Sequence, residues 1–204
     1  MPALLIATNN RGKLAELKLI FAGLPCSIVS PVDIDLDLEI EENGSTFEEN
    51  AQVKSVAFAR ASGLLTLADD SGLEVEALGG EPGVRSARYA GDNATDSERI
   101  QYLLSKMKGI PAGKRHAKFR SIMAITTPLD LHTAFSCGEC CGEIAFEPRG
   151  ENGFGYDPVF FLPQLGKTMA ELPKDIKNGL SHRGMAARNA IPVLYTLLNL
   201  QQNR

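Results

Sequence analysis

The beginning of the chain combines an apolar run, a polar turn and a helical pattern in immediate succession. Residues Ala3 to Ala7 predict a short buried strand, and Thr8-Asn9-Asn10 has the composition of a turn. From Lys13 to Phe21 the apolar residues recur at helical spacing. A strand, turn and helix in this order aim backbone N–H groups and a positive dipole end at an anion. The segment therefore predicts either an anion site within reach of Lys13, or a plain helix cap with Lys13 in solvent.

A second apolar run, Leu64 to Ala68, leads directly into two adjacent carboxylates, Asp69 and Asp70. Carboxylates at the end of a buried strand are of the type that holds Mg²⁺ or orients a water molecule. The alternative is an Asx turn capped by Gly72. Because the apolar strand ends at the acidic pair, the sequence favours a functional role, and Leu73 to Leu78 is predicted to continue as a strand.

Strict alternation marks the segment from Val32 to Ile40, in which acidic and apolar residues occupy opposite parities. This pattern predicts a half-buried strand with an acidic outer face. If the register continues, Glu42 lies on the apolar face, where a carboxylate is costly unless it is paired or binds a metal. If Asn43-Gly44 already begins a turn, Glu42 lies in solvent, and the segment alone leans towards this second interpretation.

Capping patterns predict the starts of three helices. Ser45-Thr46-Phe47-Glu48 has capping-box form and opens a predicted helix to about Ala61, which Gly63 ends. Thr95-Asp96-Ser97-Glu98 is a second capping box, for a helix to about Met107. The last helix is predicted to start at a Ser181 cap, to reach Leu200 and to be kinked by Pro192.

Three of the four cysteines fall in one predicted strand. Phe119 to Thr127 and His132 to Ile144 predict two paired strands, and the second contains Cys137, Cys140 and Cys141. Cys137-x-x-Cys140 has zinc or redox spacing, but the chain has no second CxxC and no closely spaced histidine pair to complete a tetrahedral site. The thiols are therefore predicted to be small apolar filler in a sheet.

Composition narrows the class of protein. A chain of 204 residues with 44% hydrophobic and 23% charged residues is predicted to form a single globular domain, residues 1–204, with or without two lobes. A net charge of −4 argues against a general nucleic-acid binder. No apolar stretch reaches transmembrane length and no signal-peptide pattern opens the chain, so a cytoplasmic protein without membrane contact is expected.

A second set of candidate binding residues lies in the last third of the chain. A glycine-rich approach leads to Phe154-Gly155-Tyr156-Asp157-Pro158, and Lys177 and Ser181-His182-Arg183 follow. Aromatic rings offer a stacking surface for a flat base, and histidine and arginine can read the edge of that base with hydrogen-bond donors. An anionic ligand of this acidic chain must be met by a local cluster of cations, for which Lys13, Lys54, Lys177 and Arg183 are the candidates.

In this order, the motifs resemble those of the inosine triphosphate pyrophosphatase family, and the resemblance extends over almost the whole chain. Each motif is weak alone, whereas together they are specific. The motifs are Thr8-Asn9-Asn10-Arg11-Gly12-Lys13, Glu49-Asn50-Ala51, Asp69-Asp70-Ser71-Gly72, Phe154-Gly155-Tyr156-Asp157 and Ser181-His182-Arg183.

The resemblance implies an α/β fold with a long, curved mixed β-sheet, flanking helices and two lobes around a central cleft, usually as a homodimer. It also implies Mg²⁺-dependent hydrolysis of ITP, dITP or XTP between the α and β phosphates, which yields the monophosphate and pyrophosphate. A nucleotide sensor on the same pocket is the alternative; it would need no Asp70, so the acidic pair counts against it. A zinc or interaction module centred on Cys137 is a further alternative.

By match of motif, the resemblance also implies roles for individual residues. Asp70 is the expected general base, and Glu42 and Asp70 are the expected Mg²⁺ ligands. The expected substrate-binding residues are Thr8, Asn9, Asn10, Arg11, Gly12, Lys13 and Ser71 on the phosphate side, and Phe154, Gly155, Tyr156, Asp157, Lys177, His182 and Arg183 on the base side.

Overall fold

The computed structural model describes residues 2–202 and shows an α/β chain. The helices are α1 (Arg11–Ile20), α2 (Phe47–Ser62), α3 (Asp96–Lys106), α4 (Lys174–Leu180) and α5 (His182–Gln202). The strands are β1 (Ala3–Ile6), β2 (Ser27–Val29), β3 (Leu65–Val75), β4 (His116–Thr126), β5 (Thr133–Ile144), β6 (Phe160–Leu162) and β7 (Lys167–Thr168). Within this part of the chain, no helix has the length and apolar character needed to cross a membrane.

The strands form one mixed sheet in the order β2-β1-β3-β4-β5-β6-β7. Strand β1 runs parallel to both β2 and β3, whereas β6 is antiparallel to β5 and β7. The expected mixed sheet with flanking helices is therefore confirmed. Because Ile6 pairs with Leu67 in the parallel register, the residues that follow β1 begin beside the part of β3 that contains Asp69 and Asp70.

The chain divides into two compact units, each built from separate stretches of sequence. The first contains the described parts of Met1–Asp70, Ser121–Gly138 and Arg183–Arg204. The second contains Ser71–Arg120 and Glu139–His182. Strands β3, β4 and β5 each contribute residues to both units.

In the first unit, strand β1 is buried on both faces. Leu4 and Ile6 belong to one apolar cluster, which also contains residues of α1 and α5. Leu5 and Ala7 belong to another, which contains Phe58 of α2. Since successive strand residues point to opposite faces, helices on both sides of a strand require an uninterrupted apolar run, as the sequence from Ala3 to Ala7 shows.

The predicted strand from Val32 to Ile40 does not exist. Val32–Ile34 forms a single 3₁₀ turn, Asp35 adopts a left-handed conformation with φ of 50°, and residues 36–46 contain no helix or strand. The apolar positions of the pattern, including Leu36 and Leu38, nevertheless pack against the second apolar cluster, while the acidic ones are exposed. The alternation correctly predicted which residues face the core. It could not predict a strand, because a strand also needs a neighbouring strand to pair with.

Two further boundaries differ from prediction. Strand β3 runs without interruption through Asp69-Asp70-Ser71-Gly72, so the predicted break and the alternative Asx turn are both wrong. The N-cap of α2 is Thr46, whose side chain accepts from the Glu49 backbone N–H, so the predicted capping box was placed one residue too early. The capping box at Thr95 and the end of α2 at Gly63 are confirmed.

The second unit has its own apolar core. Strand residues Leu73 and Phe160 and the α3 residues Leu103 and Met107 are buried together in it. The final helix runs over His182–Gln202 with Pro192 inside it, and the kink at this proline stays a prediction. Cys140 is buried in β5, while Cys137 and Cys141 are exposed on the same strand, and each of these thiols is free.

Candidate active site

Asp69 and Asp70 face opposite sides of the sheet because they are consecutive residues of β3. Asp69 shares the parity of Leu67 and points towards α1 and α5, where its Oδ2 lies 2.7 Å from Lys13 Nζ and 3.3 Å from Arg183 Nε. Asp70 shares the parity of Ala68 and points towards α2. The unbroken strand thus distributes its two carboxylates between two different sets of partners.

Asp69 is the anionic centre of a buried cationic cluster. Its side chain is 1% exposed and also accepts a 2.5 Å hydrogen bond from Ser121 Oγ in β4. Burial alone would disfavour the carboxylate, but the charges of Lys13 and Arg183 outweigh it and hold the Asp69 pKa well below its usual range. Lys13 is therefore not a solvated helix residue, and that alternative is wrong.

Arg183 is also held by the first helix. Its Nη1 lies 2.7 Å from Glu16 Oε2, and its side chain is 4% exposed. Burial disfavours the charged guanidinium, but Asp69 and Glu16 overcome this and raise the Arg183 pKa. Arg183 was predicted to read the base; here its guanidinium lies between two carboxylates of the first unit.

Asp70 has the properties of a proton acceptor at neutral pH. Burial raises its pKa to about 6, an effect that Lys13 and Lys54 oppose and the charge of Glu42 reinforces. Asn50 of α2 donates a 3.1 Å hydrogen bond from Nδ2 to Asp70 Oδ2. A carboxylate that titrates near the working pH is suited to general base catalysis.

Glu42 occupies neither of its two predicted environments. It lies in the irregular segment before α2, its side chain is 32% exposed, and Lys54 Nζ approaches its Oε1 to 2.5 Å. Lys54 is held at the same time by the backbone oxygen of Asp69, at 3.4 Å. Glu42 is near enough to Asp70 for its charge to affect the pKa of that carboxyl.

Glu42 and Asp70 fit a metal ion whose remaining coordination positions are filled by phosphate oxygens and water, and not an ion coordinated by protein side chains alone. Among the described residues, no group of three or more His, Cys, Asp or Glu side chains is arranged to bind a metal ion. Mg²⁺ commonly takes only one or two carboxylates and fills its remaining positions with phosphate oxygens and water. Glu42 and Asp70 supply this number, so they fit the expected ion.

The turn from Thr8 to Lys13 forms the start of α1. Asn10 is the N-cap, and its Oδ1 accepts a 3.0 Å hydrogen bond from the Lys13 backbone N–H. The Asn10 N–H in turn donates to Thr8 Oγ1 at 3.2 Å. Asn9, Asn10 and Arg11 are exposed. Asn10 thus caps the helix as predicted although Lys13 is not in solvent, and the anion-binding role of this exposed turn stays a prediction.

In the second unit, Phe154, Asp157 and Lys177 form a compact group. Lys177 Nζ lies 2.6 Å from Asp157 Oδ2 and 4.8 Å from the centre of the Phe154 ring. The same carboxylate oxygen accepts from the Phe154 backbone N–H at 2.9 Å. Gly153 has a φ of +83°, and a Cβ there would lie 2.0 Å from Asp157 Oδ2, so the turn requires glycine.

This loop is supported by residues that the sequence did not single out. Asp96, at the start of α3, accepts a 2.7 Å hydrogen bond from the Gly155 N–H. Tyr156 is buried in the core of the second unit and donates from its hydroxyl to the Ser86 backbone oxygen at 2.9 Å. The loop is therefore fixed from two directions, and of the predicted aromatic pair only Phe154 has an accessible ring.

The remaining predicted site residues are placed as follows. His182 is buried and stacks on Phe119, with ring centres 4.6 Å apart and an angle of 14° between the planes. Ser71 is half-buried in β3. Sequence reasoning missed Glu16 and Phe119 as partners of site residues, and it named Asn50 within the Glu49-Asn50-Ala51 motif without giving it a role. A polar Asn50 one helical turn before Lys54, within an otherwise apolar helix face, was the available signal for such a role.

Comparisons with known proteins identify the family of the chain. The sequence model of the Ham1 family matches residues 4–193. The chain is 50% identical over 186 residues to the dITP/XTP pyrophosphatase of Geobacter sulfurreducens, a match that covers 91% of this chain and 93% of that protein.

Solved structures of proteins with similar sequences have the same fold as this chain. A HAM1 protein from Coxiella burnetii superposes with a TM-score of 0.85 at 42% identity, covering 98% of this chain and 99% of that one. The dITP/XTP pyrophosphatase from Mycobacterium abscessus superposes with a TM-score of 0.75 at 39% identity, covering 93% and 99% respectively. With 190 consecutive residues within the family match, 4–193, this chain belongs to the Ham1 family.

Proposed function

We propose that this protein hydrolyses the noncanonical purine nucleoside triphosphates ITP, dITP and XTP to the monophosphate and pyrophosphate. Relatives of nearly full length carry the name dITP/XTP pyrophosphatase, at 46% to 50% identity. The observation that carries the proposal is Asp70, a buried carboxylate with a pKa of about 6 beside a second carboxylate and two lysines. A base with a pKa near neutrality suits a reaction that removes a proton from water, a step that a non-catalytic binding protein does not carry out.

In this proposal, Asp70 accepts the proton of the water that attacks the α phosphorus. The bond between that phosphorus and the bridging oxygen breaks, and pyrophosphate leaves. Lys13 and Lys54 place positive charge next to Asp70, where they can neutralise phosphate oxygens. Mg²⁺, held by Glu42 and Asp70 together with phosphate oxygens, would neutralise further negative charge.

The residues of the second unit are proposed to bind the purine. The accessible ring of Phe154 offers a stacking face, and Lys177, held beside it by Asp157, can donate a hydrogen bond. His182 is fixed in orientation by its stack on Phe119. Donors such as these suit the C6 oxygen of hypoxanthine and xanthine and leave the C6 amino group of adenine opposite another donor.

We further propose that the protein acts as a homodimer, as the family resemblance implies, and in the cytoplasm, as expected from the sequence. Light scattering on the purified protein tests the oligomeric state directly. A monomer at micromolar concentration would contradict this part of the proposal without affecting the assignment of the reaction.

Product analysis tests the proposed reaction. The protein is incubated with dITP and Mg²⁺, and the products are separated by chromatography. We expect dIMP and pyrophosphate in equal amounts, with turnover reduced by roughly 10²-fold or more in Asp70→Asn because that variant lacks the base. Asp37→Asn makes the same chemical change at an exposed position and serves as the matched control. Formation of dIDP and phosphate, or binding of dITP without any product, would contradict the proposal.

A further inference from the structure

Asn50 connects the two parts of the chain that carry the carboxylates Asp70 and Glu42. Its side chain is buried, and the residue is 2% exposed. Nδ2 donates to Asp70 Oδ2 at 3.1 Å, while Oδ1 accepts from the Gly44 backbone N–H at 2.8 Å. Because Gly44 N–H can only donate and the ionised carboxylate can only accept, these partners fix the orientation of the amide.

The connection reaches Glu42 by two routes that start from the same face of α2. Gly44, which Asn50 holds, lies two residues after Glu42 in a segment without regular structure. Lys54 follows Asn50 by one helical turn, and its ammonium lies 2.5 Å from Glu42 Oε1. A single rigid helix therefore fixes both the backbone and the side chain of the Glu42 segment.

The packing at Gly44 shows how closely this segment approaches the amide. A Cβ at position 44 would lie 2.6 Å from Asn50 Oδ1 and 2.8 Å from Glu49 Cβ. Separations this short require the turn or the amide to move, so only glycine keeps the hydrogen bond at its present length. The hydrogen bond between Gly44 and Asn50 therefore requires both the amide at position 50 and a residue without a side chain at position 44.

From this geometry we infer that Asn50 is a positioning residue for the divalent metal ion, acting through Asp70 and the Glu42 segment. The inference rests on the proposed function in that Asp70 and Glu42 are the metal ligands there. Asn50 restricts the orientation of the Asp70 carboxylate and holds the Glu42 segment near it, so both ligands are in place before the ion and the phosphates arrive. Partners that orient metal ligands typically contribute 10- to 100-fold to metal affinity.

Two variants break the connection from opposite ends. Asn50→Leu has nearly the same volume but removes both hydrogen bonds, and Gly44→Ala displaces the turn while retaining the amide. Ser55→Ala is the matched control because Ser55 is a fully buried polar residue of the same helix, whose hydroxyl lies 2.7 Å from that of Thr126, away from the carboxylates. Each variant is compared at a temperature at which circular dichroism shows it to be folded.

The affinity for Mn²⁺ is measured from the paramagnetic resonance signal of the free ion with the α,β-methylene analogue of dITP present, and the binding of Mn²⁺ to the analogue alone is titrated separately and subtracted. The Mg²⁺ concentration for half-maximal dITP hydrolysis is measured in parallel. We expect Asn50→Leu and Gly44→Ala to weaken Mn²⁺ binding by roughly 10-fold or more and to raise the Mg²⁺ requirement similarly. Ser55→Ala should lower the melting temperature and leave both metal values unchanged.

The outcomes separate this inference from the proposed function. If the wild-type protein hydrolyses dITP and the variants Asn50→Leu and Gly44→Ala bind the metal with unchanged affinity, the inference alone is overturned. Weakened Mn²⁺ binding in both variants of a protein that cleaves no dITP supports the inference and overturns the proposed function. A wild-type protein that binds no Mn²⁺ beyond the amount bound by the analogue alone overturns both.

Discussion

Asp69 and Asp70 are adjacent residues of the same type, yet their ionisation behaviour is opposite. Lys13 and Arg183 lower the pKa of Asp69 despite its burial, whereas burial dominates at Asp70 and raises its pKa to about 6. The difference follows from strand geometry, which turns the two side chains to opposite faces and so to different helices. Asp69 is thereby suited to hold cations in place and Asp70 to accept a proton.

The raised pKa of Asp70 predicts a stability change in the metal-free protein. The unfolded-state pKa is near 3.8, so above pH 6 the folded state must hold an ionised carboxylate at a cost. Asp70→Asn removes this cost and should increase the free energy of unfolding at pH 8 by about 1–3 kcal/mol. The gain should fade as the pH falls from 6 towards 4, because the native carboxyl then becomes neutral. Urea denaturation in EDTA at several pH values measures this, and an equal gain at pH 4 and pH 8 would exclude the proposed cause.

Base choice provides a second prediction at the scale of single residues. If Arg183 reads the C6 oxygen, Arg183→Ala lowers kcat/KM for ITP much more than for ATP, because arginine can only donate. Phe154→Ala is the comparison variant, since loss of a stacking ring should weaken all purines more evenly. Removing Arg183 also takes a buried cation away from Glu16 and leaves Asp69 with Lys13, so the variants are compared below their melting temperatures. Equal losses for ITP and ATP in Arg183→Ala would show that the arginine does not select the base.

At the scale of elements, the sequence predicted well wherever local chemistry determined the outcome. The apolar run at Ala3, the capping box at Thr95 and the glycine at position 63 each produced the expected element or boundary. The alternating segment after Val32 did not, because a strand needs a partner and the pattern only records burial. The continuity of β3 through Asp69 and Asp70 was equally hidden, since it depends on cross-strand pairing and buried cations that local propensity does not report.

At this scale, the three cysteines of strand β5 provide a testable prediction. Cys140 is buried, which raises its thiol pKa to about 11, whereas Cys137 and Cys141 are exposed. Replacing the exposed pair with serine and Cys140 with alanine should leave dITP hydrolysis nearly unchanged and reduce stability by roughly 1 kcal/mol, mainly from the Cys140 change. Activity assays and thermal denaturation measure the two effects, with the Cys140→Ala single variant as the reference. A folded triple variant without activity would show that the thiols have a functional role.

At the scale of the whole molecule, an acidic chain is proposed to bind a highly anionic ligand. The net charge is −4, but Lys13, Lys54 and Arg183 are gathered around Asp69, Asp70, Glu16 and Glu42. The sequence named these three cations among its four candidates, and the fourth, Lys177, pairs with Asp157 in the second unit. Which carboxylate each cation contacts depends on residues far apart in sequence, such as Arg183 and Asp69, and these contacts emerge only from the fold.

The position of bond cleavage tests the central claim most directly. The protein is incubated with dITP and Mg²⁺ in ¹⁸O-labelled water, and both products are examined by mass spectrometry. If water activated by Asp70 attacks the α phosphorus, one ¹⁸O atom appears in dIMP and none in pyrophosphate. Label in pyrophosphate would place the attack at the β phosphorus, and label in inorganic phosphate would place it at the γ phosphorus; either result would contradict the proposed reaction.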